Sequence, residues 1–568
     1  MIKDGKIWIA NNARGENLFI EPKMANRHGL VAGATGTGKT VTLKVMAETF
    51  SDMGVPVFMA DVKGDIASLM LPGTDSEDMQ ARIERFGLAE AGFAYTGYPV
   101  TLWDLYGEKG IQLRTTISEM GPLLLSRILN LNETQSNILS VVFKICDDND
   151  LLLIDTKDLK SALAYVSENH SLFTAEYGRI SSASVAVIIR AIVALESAGG
   201  DVFFGEPGLN ITDWFTLGEG GRGMINVLDS SSLINSPKLY STFLLWLLSE
   251  IFETLPEVGD LAKPRMVFFF DEAHLLFKDA NKALVMKLEQ VIKLIRSKGV
   301  GVYFISQSPS DIPDAVLAQL SNRVQHALRA YTPAEMKAVR AAAKAFRVNE
   351  AFDSETVLME LGVGEALVSF LDEYGVPSIV ERAKILPPQS LMGAAEESVV
   401  KGIIAADEFE LKYRQSVDRE SAYEVLVRAN IELERLKQEE AEAAAAAKEA
   451  AKEAAAAEKA AAKEAAAAQK AAEREAAAAA KVAAKEAAAA EKAAAKEAAK
   501  KKKVFQQAAQ NAASSVASSV TTNVVNAVTG GKTASAGTIA KRAATNALRS
   551  VMRAGATGII RGLFGNKK

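Results

Sequence analysis

The chain has 568 residues and a formal net charge of -5, and this length leaves room for more than one folded unit. Its single cysteine, Cys146, excludes an internal disulfide and a cysteine metal cluster, which is typical of proteins from a reducing compartment. The sequence shows neither a signal-peptide pattern nor an apolar run of the ~20 residues that cross a membrane, so it predicts a cytoplasmic protein.

Positive charge is concentrated at the end of the chain. Residues 531–568 contain eight basic side chains and no acidic ones, so the remaining residues carry a net charge of -13. An acidic body is not typical of a protein that coats nucleic acid with its outer surface. A nucleic-acid site inside a ring or cleft stays open, because net charge does not report local patches.

The first predicted elements lead to a phosphate-binding motif. Two short strands, at residues 6–10 and 17–21, precede a third at residues 29–32, which runs into the stretch HGLVAGATGTGKT at residues 28–40. An amphipathic helix follows. This strand, glycine-rich turn and helix match the pattern G-x-x-x-x-G-K-[ST] in the context that the pattern requires, which predicts a nucleotide-binding P-loop.

Each part of the P-loop has a predicted role. Its glycines let consecutive backbone N–H groups point at an anion, and the following helix turns the positive end of its dipole to the same phosphates. Lys39 is predicted to reach the β- and γ-phosphates and Thr40 to hold Mg²⁺, so the expected cofactors are ATP and Mg²⁺. The predicted nucleotide-binding positions are Gly33, Ala34, Thr35, Gly36, Thr37, Gly38, Lys39, Thr40 and Val41.

A second buried strand, at residues 57–60, ends in Asp61 and a Lys-Gly-Asp turn. Ligands of α/β sheets collect at the carboxyl ends of the strands, so Asp61, Lys63 and Asp65 are placed to approach the nucleotide or its metal. Ordinary turn chemistry is the alternative, because aspartate and glycine favour turns.

Residues 66–220 predict a mainly helical insertion. Three stretches, at residues 113–131, 133–146 and 182–199, carry apolar side chains at spacings of three and four. No catalytic arrangement is predicted there, and His170 is expected at the surface rather than as a ligand.

The stretch RMVFFFDEAH contains the second decisive motif. The continuous apolar run at residues 266–270 predicts a central parallel strand that is covered on both faces. Beside a P-loop, Asp271 is predicted to hold Mg²⁺ through water, and Glu272 to polarise the water that attacks the γ-phosphate. His274 either couples the nucleotide state to motion or is an ordinary histidine at a helix start.

Another buried strand, VGVYFIS, ends in Ser306 and Gln307. P-loop ATPases place a residue that senses the γ-phosphate at the end of such a strand. The alternative is that these polar side chains only hydrogen-bond to neighbouring backbone groups. Further strands are predicted at residues 323–328, 365–371 and 378–385. The alternation of apolar strands and helices predicts an α/β fold with a mostly parallel, doubly wound sheet.

Five motifs in this order resemble the HerA/FtsK group of P-loop ATPases and, within it, the bacterial HerA-like (YjgR-type) family: HGLVAGATGTGKT, FMADVKGD, FFFDEAH, IRSKGVGVYFISQSPSDIP and GEALVSFL. The resemblance covers roughly residues 15–425. It implies a RecA-like core, ATP hydrolysis, a homo-oligomeric, hexameric ring and, as in better-known relatives, translocation along double-stranded DNA. A nuclease partner is not expected, because only about 27 residues precede the P-loop strand, where HerA carries a β-barrel.

The resemblance also implies site residues. Lys39 and Thr40 match the phosphate and metal ligands, Asp271 the second metal ligand, Glu272 the catalytic glutamate and Gln307 the sensor. Arg296 matches the position of an arginine finger that a neighbouring subunit supplies, and Arg323 is a second candidate. A guanidinium suits this role because it is planar and always charged. A surface or packing arginine is the alternative for both.

The end of the chain predicts a helical extension. A predicted helix begins near Asp418 and passes into an almost pure alanine, lysine and glutamate segment that ends near Lys503. This segment has high helix propensity and no heptad pattern, and we interpret residues 418–503 as a semi-rigid spacer. Residues 504–535 predict a flexible linker. Residues 536–568 are weakly amphipathic and basic, a pattern that fits docking to a protein partner, a membrane surface or DNA, as well as a solvated helix.

These observations predict how the chain is organised and what it does. The expected domains are residues 1–65 and 221–417 as two parts of an ATPase core, residues 66–220 as the insertion, and residues 418–503 as the spacer. The expected function is an ATP-hydrolysing ring motor with double-stranded DNA as its track. The alternatives are a nucleotide-dependent tethering protein that uses the rod and the basic tail and, third, a small-molecule phosphotransferase.

Overall fold

The computed structural model describes residues 1–233, 236–277 and 282–501. The chain divides into a compact unit, Met1–Val427, and a second unit that begins at Arg428. The predicted linker at residues 504–535 and the predicted basic tail at residues 536–568 lie outside the described residues. The domain boundaries given above stay a prediction.

One mixed sheet organises the first unit, and in the described part of the chain it has thirteen strands. They are β1 (Ile2–Lys3), β2 (Lys6–Asn12), β3 (Asn17–Ile20), β4 (Gly29–Ala32), β5 (Val57–Asp61), β6 (Val100–Asp104), β7 (Ile111–Gln112), β8 (Ile225–Asp229), β9 (Met266–Phe270), β10 (Val300–Ser306), β11 (Asn322–His326), β12 (Glu365–Ser369) and β13 (Glu381–Ile385). Their spatial order is β1-β2-β13-β12-β11-β4-β10-β9-β5-β8-β6-β7, with β3 paired to β2.

The sheet has a parallel part and an antiparallel part. All neighbours from β11 through β4 to β7 are parallel. The remaining strands, β1, β2, β3, β12 and β13, make antiparallel pairs. The predicted α/β class with a mostly parallel sheet is therefore confirmed, and the carboxyl ends of the parallel strands meet at one edge, which we call the site edge.

Strand β9 shows why the apolar runs become central strands. Alternate side chains of a strand point to opposite faces of the sheet. Met266, Phe268 and Phe270 lie in one hydrophobic cluster, whereas Val267 and Phe269 lie in a second cluster on the other face. A strand buried on both faces needs a continuous apolar run, as the sequence has here.

Helices cover both faces of this sheet. The α-helices of the described residues are α1 (Lys39–Asp52), α2 (Glu77–Phe86), α3 (Ile117–Ile128), α4 (Glu133–Asp148), α5 (Thr156–Glu168), α6 (His170–Tyr177), α7 (Ser182–Leu195), α8 (Asp201–Phe203), α9 (Pro237–Thr254), α10 (His274–Phe277), α11 (Lys282–Ile295), α12 (Asp314–Leu317), α13 (Pro333–Lys344), α14 (Ser354–Glu360), α15 (Glu397–Ala406), α16 (Glu408–Tyr413) and α17 (Ala422–Lys501). Helix α1 contributes to one cluster, and α3, α4, α9 and α11 contribute to the other.

Among these helices none alone is long and apolar enough to cross a membrane, and only α6 and α7, bent by 104°, meet that test as a pair.

Helices α3, α4 and α5 begin with side-chain caps. Thr116, Asn132 and Asp155 accept a hydrogen bond from the backbone N–H three residues later, and the side chain at that later position accepts the N–H of the capping residue. Such capping boxes satisfy donors that the first helical turn leaves unpaired. They fix where α3, α4 and α5 begin.

Sequence reasoning missed strand β6 within the region predicted as mainly helical. Its five residues, Val100–Asp104, are all buried, and β6 pairs in parallel with β8. A short strand buried on both faces lacks the two-residue alternation that marks a strand, so its pattern resembles that of a buried helix segment.

Helix α17 is a long continuous helix of 80 residues. At about 1.5 Å per residue it is roughly 120 Å long. Every residue from 441 to 494 is exposed. The high helix propensity of alanine, lysine and glutamate, rather than tertiary contact, therefore stabilises this segment.

Candidate nucleotide-binding site

The P-loop lies at the site edge between two strands. Strand β4 is flanked by β10 and β11, and α1 begins at Lys39 directly after the turn. Gly36 and Gly38 have φ of 78° and 113°, a left-handed backbone that favours glycine. Gly33 is required for a different reason, because a Cβ there would lie 2.5 Å from the Cβ of His326.

Lys39 is a buried cation in this loop. Its ammonium donates to the carbonyl oxygens of Gly33 at 2.5 Å and Ala34 at 3.1 Å. Burial lowers the pKa of Lys39, and the nearby charge of Lys63 lowers it further. The negative charges of Glu272 and Asp271 act in the opposite direction, so the P-loop lysine and the acidic pair share one electrostatic environment.

The acidic pair follows β9. Asp271 is buried, and burial raises its pKa to about 6, against the opposing charge of Lys63. Its carboxylate accepts the N–H of Glu272 at 2.9 Å, and its carbonyl accepts the hydroxyl of Tyr240 at 2.9 Å. These contacts fix the backbone that carries both carboxylates.

Glu272 has two unusual features. Its φ is 48°, in the left-handed region that costs a non-glycine residue of order 1 kcal/mol or more. Its Oε2 and the Nδ1 of His274 lie 3.3 Å apart, yet among the described residues neither atom makes a hydrogen bond. A strained residue that holds an unsatisfied buried carboxylate oxygen is typical of a functional position.

The donor set fits a magnesium nucleotide. Thr40 at the start of α1 and Asp271 at the end of β9 offer oxygen ligands, which Mg²⁺ prefers. In the described ranges no three His, Cys, Asp or Glu side chains form a metal site by themselves. A Mg²⁺ here would therefore take further ligands from phosphate and water, as Mg²⁺ does beside a P-loop.

Strand β10 connects the two motifs. The N–H of Gly33 donates to the carbonyl of Ser306 at 3.2 Å, and the N–H of Ala273 donates to the carbonyl of Ile305 at 2.8 Å. The Ser306 hydroxyl donates to Asp311, so it is already used. Gln307 follows at the site edge with an exposed side chain, and its sensor role stays a prediction.

The turn after β5 is stabilised by its own aspartate. Asp61 accepts the N–H groups of Lys63, Gly64 and Ile66 at 2.8 to 3.0 Å. Burial raises the pKa of Asp61 to about 6. These contacts favour the turn-chemistry interpretation of Asp61, whereas the exposed Lys63 acts electrostatically on both Lys39 and Asp271.

Arg296 lies far from the P-loop of its own chain. It follows α11 and precedes β10, which places it at the amino end of a strand whose other end contacts Gly33. Seven residues of strand at about 3.3 Å each separate the two positions by roughly 23 Å. Arg296 therefore cannot contact a nucleotide on its own P-loop, and its role as a finger for a neighbouring subunit stays a prediction.

Arg323 is engaged inside its own chain. Its guanidinium donates to the carbonyl oxygens of Leu320 at 2.9 Å, Leu317 at 3.1 Å and Ala345 at 3.3 Å. Burial lowers its pKa. These contacts favour a structural role for Arg323, because its guanidinium N–H groups already donate to carbonyl oxygens of its own chain. Its assignment as an arginine finger stays a prediction.

His326 is a residue that sequence reasoning missed. It ends β11 fully buried against Gly33, its Nε2 lies 2.8 Å from the Thr42 hydroxyl, and its Nδ1 lies 3.0 Å from the Glu365 carbonyl. Burial lowers the pKa of His326 to about 4, and the Lys39 charge acts in the same direction. A neutral ring thus joins the P-loop, α1 and β12. A single histidine in a predicted strand does not indicate that its side chain contacts a distant P-loop.

Replacing this ring tests its positioning role. We expect His326→Ala to lower the free energy of unfolding by about 2–4 kcal/mol, because it leaves a cavity and unpaired buried groups. We also expect it to weaken ATP binding about tenfold, or ~1.4 kcal/mol. Thermal melting and calorimetric titration measure both. His170→Ala is the matched control, because His170 is exposed on α6. Equal ATP affinity in both variants would remove the positioning role.

The same variant has a pH signature. Burial lowers the pKa of the His326 ring from its ordinary value of 6.5 to about 4 in the folded chain. Its contribution to the free energy of unfolding is therefore lost as the pH falls through that window. We expect His326→Ala to show a shallower loss of stability between pH 6.5 and 4 than the parent chain.

Comparison with known proteins gives a family match over most of the chain. A family model described as Helicase HerA-like C-terminal matches residues 6–492. One relative, described as the DNA double-strand break repair helicase HerA of Sulfurisphaera tokodaii, is 23% identical over 362 residues. The alignment covers 61% of this chain and 63% of that protein, so the chain spans less than two thirds of this relative's length.

Solved structures give more distant matches. VirB4 of Thermoanaerobacter pseudethanolicus has a TM-score of 0.45 and 16% identity, with 68% of this chain and 97% of that chain covered. The plasmid coupling protein TrwB in complex with ADP and Mg²⁺ has a TM-score of 0.42 and 15% identity, with 70% and 88% covered. At these scores the similarity supports no statement about function.

Proposed function

Because the chain belongs to the family of helicase HerA-like C-terminal proteins, which confirms the resemblance carried by its motifs, we propose that it is an ATP-hydrolysing motor that moves along double-stranded DNA. One observation carries the proposal. The backbone of β10 accepts hydrogen bonds from Gly33 of the P-loop and from Ala273, which follows the acidic pair, although more than 230 residues separate Lys39 and Asp271 in the sequence. A P-loop and a carboxylate pair on separate surfaces would have excluded hydrolysis.

Each residue at the site edge has a separate role in ATP hydrolysis. The backbone N–H groups of the glycine turn and the Lys39 ammonium hold and orient the phosphates. Thr40 and Asp271 would hold Mg²⁺, which neutralises charge on the β- and γ-phosphates when it is bound. Glu272, directly after Asp271, accepts a proton from the attacking water. Gln307 orients the water or the γ-phosphate from the end of β10.

We propose a homo-oligomer, with a ring of six subunits as its form. The placement of Arg296 supports this, since it lies too far from its own P-loop to contribute there and would act only on the nucleotide of a neighbour. A ring also provides an inner surface, so the acidic charge of the body does not argue against a DNA track. The single cysteine supports the cytoplasm as its compartment.

Stimulation of ATP hydrolysis by DNA tests whether the motor acts on double-stranded DNA. We expect the full chain to hydrolyse ATP and to do so several-fold faster with linear double-stranded DNA at low salt, since phosphate contacts weaken as salt rises. Phosphate release with and without DNA measures this, and Lys39→Ala is the control for contaminating ATPases. Absence of hydrolysis in an assembled oligomer would contradict the motor.

A tethering ATPase is the second candidate, and helix α17 favours it. Its 54 residues from 441 to 494 are all exposed, as expected of a spacer that separates two functions. Hydrolysis that is indifferent to DNA at every salt concentration would support this candidate and exclude the DNA track.

A further inference from the structure

The strand order determines where the two ends of a nucleotide lie. The acidic pair follows β9, which is two strands from the P-loop strand β4, with β10 between them. The γ-phosphate must therefore point toward β9, where Glu272 acts. The nucleoside end then extends to the other side of β4, toward β11, β12 and β13.

A cavity of about 360 Å³ opens on that side. It is lined by residues of β2, α2, β12 and β13, among them Asn11, Arg85, Phe86, Glu365, Arg382 and Lys384. We call it the Arg85 cavity. Its size lies in the lower part of the ~300–1,000 Å³ range of small-molecule sites.

The Arg85 cavity begins next to the P-loop. The N–H of Gly364 donates to the carbonyl of Thr37 at 3.0 Å, and a Cβ on Gly38 would lie 3.1 Å from the same nitrogen. Glu365, the next residue, lines the cavity. Strand β12 begins at the site edge, because Ala366 pairs with His326 at the end of β11. The cavity and the P-loop therefore share one edge and one connecting turn.

The distance suits a nucleotide. Strands β12 and β13 are two and three positions from β4 in the sheet. At about 4.8 Å per strand, their ends lie roughly 10–14 Å from the P-loop strand. A nucleotide whose phosphates lie on the P-loop has its ribose and base at this range.

The charged groups of the cavity are not equivalent. Arg382 pairs with Glu365 at 2.7 Å, and Lys384 lies 3.8 Å from the same carboxylate. Among the described residues the side chain of Arg85 makes neither an ion pair nor a hydrogen bond. Its flat guanidinium is thus available, beside the buried ring of Phe86, which forms an apolar wall.

We propose that the Arg85 cavity binds the base and ribose of the nucleotide whose phosphates lie on the P-loop. The inference rests on the proposed ATPase function and adds a second subsite to it. Arg85 stacks on the base, as guanidinium groups do on nucleobases, and Phe86 excludes water beside it. ATP therefore binds more tightly than a triphosphate without base and ribose, because only ATP contacts the cavity.

Two probes separate this subsite from the P-loop. ATP and inorganic tripolyphosphate, each with Mg²⁺, are titrated calorimetrically into the full chain. We expect ATP to bind more tightly than tripolyphosphate. Ala13→Trp fills the cavity from an exposed position, and we expect it to weaken ATP binding about tenfold and leave tripolyphosphate unchanged. Arg85→Ala should weaken ATP binding about fivefold through the lost stacking.

Controls separate the two proposals. Arg340→Ala removes an exposed arginine outside the cavity and should alter neither probe. Lys39→Ala should lose both probes, and a chain that binds neither before mutation would contradict the ATPase itself. If the parent chain binds ATP and tripolyphosphate with equal affinity, the cavity does not bind the base. The same conclusion follows if both Ala13→Trp and Arg85→Ala bind ATP like the parent chain. Neither result would contradict the proposed ATPase function.

Photolabelling locates the base directly. 8-Azido-ATP places a reactive nitrene on the purine ring, and peptide mass spectrometry identifies the labelled residue. We expect label at residues 11–15, 85–86 or 382–384, suppressed by excess ATP. Suppressible label on any other segment would overturn the assignment of the cavity.

Discussion

Glu272→Gln is expected to bind ATP like the parent chain and to hydrolyse it about 10²–10⁴-fold more slowly, because an amide cannot accept the proton of the attacking water. The change preserves size and shape, so the contact of its backbone N–H with Asp271 stays in place. Equilibrium binding of ATP and single-turnover hydrolysis measure the two effects separately.

The control for this variant is Glu257→Gln, which changes the same functional group at an exposed position. It should hydrolyse ATP normally. A Glu272→Gln chain that turns over at the rate of this control would show that another group acts as the base. Loss of ATP binding would instead show that Glu272 is structural, which its left-handed φ of 48° makes a meaningful alternative.

Arg296→Ala is expected to reduce turnover about 10³-fold or more, as the loss of an arginine finger does in other P-loop enzymes. ATP binding should change little, since a finger acts on charge that develops in the transition state. The distance of Arg296 from its own P-loop requires the effect to cross a subunit boundary. Steady-state hydrolysis of mixed oligomers tests this requirement.

Mixing makes that test specific. Lys39→Ala subunits lack nucleotide binding but keep Arg296, whereas Arg296→Ala subunits keep an intact P-loop. Each is expected to be inactive alone, and a mixture should recover part of the parent activity. Arg323→Ala is the comparison, because it leaves three carbonyls without their donor and should lower stability. Mixtures that stay inactive would exclude Arg296 as the finger.

The two phosphate-site motifs could be predicted from the sequence because each is a local pattern with its own context. The strand at residues 266–270 has the predicted boundaries, because its continuous run of five apolar residues ends at the acidic pair that marks the second motif. The P-loop turn likewise has left-handed glycines where the motif expects them. Local sequence therefore predicts which backbone carries Lys39 and Asp271.

Features that depend on distant contacts could not be predicted. His326 supports the P-loop only because β11 pairs with β4, and a register of strands is not visible in a single sequence. The same pairing explains why Gly33 must be glycine beyond its motif role. The position of Arg296 at the opposite end of β10 follows from topology, whereas the sequence shows only that it precedes a strand.

The supports of the P-loop come late in the chain, and this has a consequence for biosynthesis. The ring that contacts Thr42 lies 284 residues further on, and the N–H that contacts Thr37 belongs to Gly364. A ribosome that adds about 5–20 residues per second needs roughly 15–65 s to pass from the glycine turn to these supports. During that interval the nascent chain has the motif but not the complete site, so ATP cannot assist its folding until β11 and Gly364 have been synthesised.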